Sequence, residues 1–156
     1  MSLSFQKEFI AWANKKQLFI ATGSDYQKTK EQVPQNVLDC FKETHCCMGN
    51  EIRDSKGKII ERSSFTIPED LDEKLQIFLK KSIYPVKTGN HIEFRTGMVN
   101  FSIVGRNATL QERLDYAEWD LLNNERIKLV DIINKDYPTL NASIGGSISI
   151  DIIEEG

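Results

Sequence analysis

Three arginines recur within a short stretch of the chain, at Arg95, Arg106 and Arg113. A guanidinium group is planar and permanently charged, and its fork of N–H donors matches the oxygens of an anion such as phosphate in bidentate fashion. Arg113 follows a capping signal within one helical turn, which is an unfavourable place for a cation beside the positive end of a helix. A solvated surface is one explanation of these residues. An anion bound by all three is the other, and it is the one we favour.

Two stretches of the chain alternate polar and apolar residues as half-buried strands do. They are residues 91–106, which include Arg95 and Arg106, and residues 145–152. In the first stretch, a tight turn at Thr96-Gly97 joins two limbs. Arg95 and Glu93 share one face of the first limb, and Asn100 lies on one face of the second. In the second stretch the polar face carries Ser147, Ser149 and Asp151, and the apolar face carries Ile148, Ile150 and Ile152.

Strands with one apolar and one polar face predict an antiparallel sheet that packs helices on one side and leaves the other side open. Arginines, hydroxyl groups and a carboxylate on that open face suit a small, anionic, hydroxyl-rich ligand. A sugar phosphate has this chemistry. The ordinary alternative is again a solvated outer face.

Capping signals predict the helices that would cover the apolar face. Thr66-x-x-Glu69 and Thr109-x-x-Glu112 both have the capping-box pattern. Leu71, Leu75, Phe78 and Leu79 give the helix after the first box an apolar stripe, which we expect to lie in the core. Leu114, Ala117 and Leu121 follow the second box.

The first part of the chain has a different order of predicted helices and strands. Residues 4–16 have helical spacing with Ser4 as a plausible N-cap, and a short apolar strand follows within 17–25. Helix, buried strand, polar loop and helix are typical of a parallel α/β layer, and ligands tend to bind at the carboxyl ends of such strands. Ser24 and Asp25 lie in that loop, where helix capping is the simpler explanation. Residues 52–62 predict a β-hairpin.

Four ordered motifs closely resemble the eukaryotic-type phosphomannomutases of the haloacid dehalogenase superfamily. The motifs are Glu93-Phe94-Arg95-x-Gly97-Met98-x-Asn100, Gly105-Arg106, Gln111-Glu112-Arg113 and Ser143-Ile144-Gly145-Gly146-x-Ile148-Ser149-x-Asp151. The resemblance implies a partial haloacid dehalogenase-like α/β core over 1–65 and a phosphosugar-binding cap-like domain over 66–156. The expected fold class is α/β with an α+β cap, in which an antiparallel sheet with helices on one face is joined to an incomplete core.

The resemblance also implies roles for individual residues. Arg95, Arg106 and Arg113 would hold the phosphate. Ser24 would contact the transferring phosphoryl group as the catalytic-loop hydroxyl, because Thr22-Gly23-Ser24-Asp25 matches the usual Gly-Gly-Ser-Asp of the family better at the serine than at the threonine. Met98 would form an apolar wall against the sugar ring. The expected contacts to the sugar end are Asn100, Gly146, Ser149 and Asp151.

The intact family enzyme interconverts mannose 6-phosphate and mannose 1-phosphate for GDP-mannose synthesis, with Mg²⁺ and an aspartate nucleophile in an Asp-x-Asp motif after an apolar strand. Asp70-x-Asp72 matches that motif only in letters, because it follows Pro68 and opens a helix. The Mg²⁺ ligands are likewise missing from the sequence, so we expect this chain to be either truncated or part of a longer protein, and to be inactive alone. The alternatives are a non-catalytic phosphosugar-binding module and a related sugar phosphatase. The three arginines favour a mutase, which must hold its ligand in two orientations.

Composition limits the remaining possibilities. The chain has 156 residues and a net charge of −3, which argues against a general nucleic-acid binder, and no apolar run is long enough to span a membrane. Its cysteines, Cys40, Cys46 and Cys47, suit reduced thiols in a cytoplasmic protein. The resemblance implies a homodimer formed through the cap, with Tyr116 and Trp119 as supporting aromatic residues.

Overall fold

The computed structural model describes residues 1–155, and the chain forms two compact units, Met1–Ser64 and Phe65–Gly156. Both units combine helices with a four-stranded sheet, so the expected mixed α/β class is confirmed. Among the helices of residues 1–155, none combines the length and the apolar character needed to cross a bilayer.

The first unit contains one sheet with the strand order β1-β2-β3-β4. Strands β1 and β2 are parallel, as the α/β rhythm predicts, and the remaining pairs are antiparallel. Strands β3 and β4 form the hairpin predicted over 52–62. The elements are α1 (Leu3–Ala13), β1 (Leu18–Ala21), α2 (Tyr26–Gln32), α3 (Gln35–Leu38), β2 (Phe41–Cys46), a 3₁₀ turn (Cys47–Gly49), β3 (Glu51–Asp54) and β4 (Ile59–Arg62).

Helix α1 begins earlier than its sequence pattern predicts. Ser2, not Ser4, is the N-cap, because its backbone is extended and its hydroxyl accepts a hydrogen bond from the Phe5 amide at 3.3 Å. Ser4 lies inside the helix and donates to the Glu8 carboxylate at 3.2 Å. Phe5 and Trp12 are 51% and 57% exposed. The apolar spacing of this helix therefore marks a largely exposed aromatic face.

A buried carboxylate ties the hairpin of the first unit together. Glu51 is 5% exposed and accepts hydrogen bonds from Arg53 Nε at 2.6 Å and from Arg62 Nη2 at 2.5 Å. Burial alone raises the pKa of the Glu51 carboxyl, but the bonds and charges of the two arginines outweigh it, so the net pKa is lowered. The charged form of Glu51 therefore stabilises the folded unit.

We expect the stabilisation that Glu51 supplies to disappear in acid. Its folded pKa is below the ordinary value of 4.5, so the contribution is present above that value and is lost as pH falls through the folded pKa. Thermal unfolding of the wild type and of Glu51→Gln should differ most near neutral pH, with the gap closing well below pH 4.5. A gap of equal size at neutral and strongly acidic pH would contradict this role.

The second unit contains an antiparallel sheet with the strand order β5-β6-β8-β7. The first pair is the predicted hairpin, and Gly97 in its turn has a φ of 61°, which glycine adopts without steric cost. The elements are α4 (Leu71–Lys81), β5 (Ile92–Arg95), β6 (Met98–Phe101), α5 (Leu110–Asn123), α6 (Glu125–Asp136), β7 (Leu140–Gly145) and β8 (Ser149–Glu154).

The helices of the second unit cover the apolar face of its sheet. Ile148, Ile150 and Ile152 are at most 2% exposed and belong to one core cluster with residues of all three helices. The helix residues in that cluster include Leu75 of α4 and Ile133 of α6. The predicted direction of the apolar face is confirmed for Ile150 and Ile152. The strand predicted over 145–152 begins only at Ser149, and the buried Ile148 lies in the turn between β7 and β8.

The two capping boxes have different outcomes. Thr109 and Glu112 form both bonds of a capping box at the start of α5, as predicted. The box predicted at Thr66 and Glu69 is wrong, since α4 begins at Leu71 after Asp70, which makes no side-chain cap bond. The N-cap of α4 is thus Asp70 and not Thr66.

The apolar stripe predicted on α4 is buried at Leu71, Leu75 and Phe78, whereas α5 does not face the core with the leucines that follow its capping box. Leu114 and Leu121 are 54% and 77% exposed, whereas Tyr116 and Asp120 are buried. Tyr116 packs edge-on against Tyr84, with ring centroids 4.9 Å apart, so the aromatic side of α5 faces the core. Because Tyr116 is fully buried, it gives no support to the expected dimer contact.

Candidate functional site

The strand register places several of the predicted site residues, including Arg95, Asn100 and Asp151, on one face of the second sheet. Glu93 of β5 pairs with Asn100 of β6, which pairs in turn with Asp151 of β8. Arg95 is two residues beyond Glu93 and therefore lies on the same face. This face is opposite to the one that the helices cover, so the charged residues are kept away from the apolar core.

One carboxylate lies between two of the arginines. Arg95 donates a hydrogen bond from Nη2 to Glu93 Oε2, and Arg106 Nε is 3.6 Å from the same oxygen. The Arg95 side chain is only 8% exposed, and that of Glu93 is 24% exposed. The carboxylates of Glu93 and Asp151 and the cations Arg95 and Arg113 all act on Arg106, so the three arginines keep this cluster cationic.

Arg106 has a side-chain N–H donor that makes no hydrogen bond. Its Nε is buried and has no hydrogen-bond partner, because the distance to Glu93 is too long for a hydrogen bond. Burial lowers the pKa of Arg106, Glu93 opposes this shift, and the nearby charges of Arg95 and Arg113 add to it. Arginine still remains protonated. A buried, charged donor without an acceptor is what an anionic ligand would satisfy.

Arg113 is close to the group but is already bonded to the backbone. Its Nε donates to the Ala108 carbonyl at 2.9 Å and its Nη2 to the Arg106 carbonyl at 2.5 Å. These carbonyls give a local reason for a cation in the first turn of α5. In this structure Arg113 holds the loop that carries Arg106.

That loop depends on a glycine at its start. Gly105 has a φ of 92°, and a Cβ there would come within 2.0 Å of the Thr88 carbonyl oxygen. Only glycine fits such a close approach without moving the backbone. Gly105 and Arg113 together fix the path of the chain on both sides of Arg106.

The amide of Asn100 and the carboxylate of Asp151 form the other end of the site. Asn100 Nδ2 donates to Asp151 Oδ1 at 2.5 Å, whereas the buried Asn100 Oδ1 has no hydrogen-bond partner. A Cβ on Gly145 would lie 2.5 Å from Asp151 Oδ2, so the glycine leaves room for this carboxylate. The free acceptor Asn100 Oδ1 and the neighbouring Asp151 carboxylate could both accept hydrogen bonds from the hydroxyl groups of a sugar.

The remaining predicted residues are placed less favourably for direct contact. The Ser149 hydroxyl donates to the Gly145 carbonyl at 2.6 Å, which leaves it only acceptor capacity towards a ligand. Gly146 is exposed in the β7–β8 turn. Met98 shares the polar face by register but is fully buried, so contact with a sugar ring requires the groups that cover it to move.

Ser24 lies in the loop after β1 of the first unit. Its amide donates to Thr22 Oγ1 at 3.1 Å, and its carbonyl accepts from the Cys47 amide at 3.0 Å. Asp25 caps α2 by accepting from the Lys28 amide at 2.8 Å. Capping therefore accounts for Asp25 and leaves the Ser24 hydroxyl without a capping role.

Over residues 1–155, no three His, Cys, Asp or Glu side chains come close enough together to hold a metal ion. The Mg²⁺ remains an implication of the sequence resemblance.

Residues 5–156 match the family model described as eukaryotic phosphomannomutase. The chain belongs to this family. A phosphomannomutase of Saccharomyces cerevisiae is 35% identical over 142 residues, which are 86% of this chain and 56% of the relative. One of Triticum aestivum is 32% identical over 146 residues, or 88% of this chain and 58% of the relative. The chain thus spans less than two thirds of the length of these phosphomannomutases.

Solved structures identify the fold of this phosphomannomutase-family chain. A haloacid dehalogenase-like hydrolase from Bacteroides thetaiotaomicron has a TM-score of 0.58 at 9% identity and covers 99% of this chain and 65% of its own. The C-terminal domain of a Candida albicans trehalose-6-phosphate phosphatase has the same TM-score of 0.58 at 18% identity, covering 97% of this chain and 48% of its own. At these identities the likeness concerns the fold alone, and it confirms the expected haloacid dehalogenase-like architecture.

Sequence reasoning did not include Glu93 among the site residues of this family member. Its position two residues before Arg95 on a strand was a sufficient signal, because side chains at i and i+2 share a face. It also missed Asp120 and Arg126, a buried ion pair that contacts the β7–β8 turn. No local pattern distinguishes those two residues from surface charges of a helix.

Proposed function

We propose that the polar face of the second unit binds the sugar phosphate of a phosphomannomutase. Arg95 and Arg106 contact the phosphate, and Arg113 completes the cluster by fixing the Arg106 loop or by turning a donor towards the ligand. Met98 is the proposed apolar wall against the sugar ring. The proposed contacts to the sugar end are Asn100, Gly146, Ser149 and Asp151.

One observation carries this proposal. The buried Arg106 Nε and the buried Asn100 Oδ1 are the only buried side-chain nitrogen or oxygen atoms of residues 1–155 without a hydrogen-bond partner. Both residues belong to the polar face of the second unit's predicted site. Buried polar groups are nearly always satisfied, so an unmet donor and an unmet acceptor at one predicted site point to a ligand with both anionic and hydroxyl groups.

The whole protein would then interconvert mannose 6-phosphate and mannose 1-phosphate for GDP-mannose synthesis. Family membership supports this activity, together with Mg²⁺, a homodimer through the cap and a cytoplasmic location. Ser24 is the proposed contact of the transferring phosphoryl group. We expect the 156-residue chain itself to bind the ligand without turnover, because its sequence has no Asp-x-Asp motif after an apolar strand.

Calorimetry with three ligands tests the proposed binding. Mannose 1-phosphate should bind at least about tenfold more tightly than mannose, because a charge-assisted hydrogen bond contributes roughly 1.5–3 kcal/mol. It should also bind more tightly than inorganic phosphate, which lacks the sugar hydroxyl groups. Equal affinity for mannose 1-phosphate and mannose would overturn the proposal.

A further inference from the structure

A buried ion pair joins helices α5 and α6 behind the polar face. Asp120 and Arg126 are 5% and 8% exposed, and Arg126 Nε donates to Asp120 Oδ2 at 2.7 Å. The other carboxylate oxygen, Oδ1, accepts from the backbone amide of Arg126 at 2.9 Å. Asp120 therefore fixes both the backbone and the guanidinium of Arg126.

The guanidinium extends from the helix to the β7–β8 turn. Arg126 Nη1 donates to the Gly146 carbonyl at 3.0 Å and to the Ser149 carbonyl at 3.3 Å. These two carbonyls are at the two ends of the short connection between the strands. One charged donor thus holds both ends of the turn, and charge-assisted bonds of this kind are stronger than neutral ones.

The same turn sets the geometry of the proposed sugar contacts. Gly146 has a φ of 54°, Ser149 bonds back to the Gly145 carbonyl, and Gly145 packs against the Asp151 carboxylate. A shift of the turn would therefore move Ser149 and Asp151 together. Gly145 and Gly146, at the start of this connection, have no side chains that would restrict such a shift.

We propose that Arg126, oriented by Asp120, is a positioning residue that holds the β7–β8 turn where its residues can contact the sugar end of the ligand. This inference rests on the proposed function of the polar face. It predicts a selective effect, because the arginines that bind the phosphate end belong to β5, to the loop before α5 and to α5 itself. Loss of Arg126 should weaken recognition of the sugar and spare recognition of the phosphate.

The test uses a variant that removes the donor without leaving a buried charge. Asp120→Asn combined with Arg126→Met keeps a neutral acceptor for the helix amide and abolishes both bonds to the turn. Lys128→Met is the matched control, since Lys128 is an exposed cation of α6 that also donates to a carbonyl, that of Asn123 at 2.8 Å. Arg126→Lys retains the charge and should recover part of the function. Circular dichroism checks that each variant is folded.

We expect the double variant to bind mannose 1-phosphate about tenfold more weakly and inorganic phosphate with unchanged affinity. Lys128→Met should match the wild type, and Arg126→Lys should fall between the two. If the double variant unfolds, Arg126→Lys alone provides the test. It should show a smaller loss of affinity for mannose 1-phosphate and an unchanged affinity for inorganic phosphate. Equal losses for both ligands, or no loss, overturn the positioning role. A wild type that does not prefer mannose 1-phosphate over phosphate would instead refute the proposed function, and the inference with it.

Discussion

Replacing Arg106 with methionine should lower the affinity for mannose 1-phosphate at least about tenfold while the protein stays folded. Arg106 is the arginine whose buried Nε has no hydrogen-bond acceptor, so it has the most to gain from an anion. A charge-assisted bond contributes roughly 1.5–3 kcal/mol, which corresponds to a factor of about ten or more in affinity. Methionine keeps most of the apolar volume of the side chain and removes a buried donor that costs stability when it is unpaired.

The control for Arg106→Met is Lys80→Met, which removes one positive charge from an exposed site on α4. Titration calorimetry of both variants and the wild type gives the comparison, and thermal unfolding shows whether the fold is intact. Lys80→Met should bind as the wild type does. If the two variants lose affinity equally, the effect is one of overall charge and the place of Arg106 in the site is wrong.

The largest loss of stability should follow Tyr116→Ala in the second unit. Tyr116 is fully buried, and its ring packs against Tyr84 and Trp119 with centroids 4.9 and 6.1 Å away. Truncating a buried aromatic residue to alanine destabilises a protein by about 3–5 kcal/mol, because transfer energy and packing are both lost. Denaturant unfolding monitored by tryptophan fluorescence measures the change.

Leu121→Ala is the matched control on the same helix. Leu121 is 77% exposed, so its truncation should change the free energy of unfolding by no more than about 0.5 kcal/mol. A larger effect for Leu121→Ala than for Tyr116→Ala would mean that the helix packs with the side that its leucine spacing suggests.

The polar face was predictable because strands alternate with a period of two. Once Ile150 is placed in the core, the neighbouring Ser149 and Asp151 must face the other way. In the antiparallel register of β6 and β8, Asp151 then pairs with Asn100. Helix α5 offers no such constraint. Its leucines and its aromatic residues lie on different sides, and only tertiary packing decides that Tyr116 is buried and Leu121 is not.

The partners of charged residues were the least predictable part of the site. The position of Arg113 near a helix start suggested a bound anion, whereas the structure shows that the backbone carbonyls of Arg106 and Ala108 meet its donors. Asp120 and Arg126 look like ordinary surface charges in the sequence, since nothing local indicates that both are buried. Such contacts depend on loop paths and on helix rotation, which no short pattern encodes.

Nuclear magnetic resonance of the Arg106 side chain tests the central claim most directly. The Nε–H group of Arg106 is buried without an acceptor, so its cross-peak reports whether a ligand oxygen arrives there. Titration with mannose 1-phosphate should shift this peak strongly, together with the side-chain amide of Asn100, and mannose should leave the Arg106 peak unchanged. If mannose 1-phosphate shifts neither peak, or shifts only residues of the first unit such as Arg53 and Lys56, the polar face of the second unit is not the sugar-phosphate site.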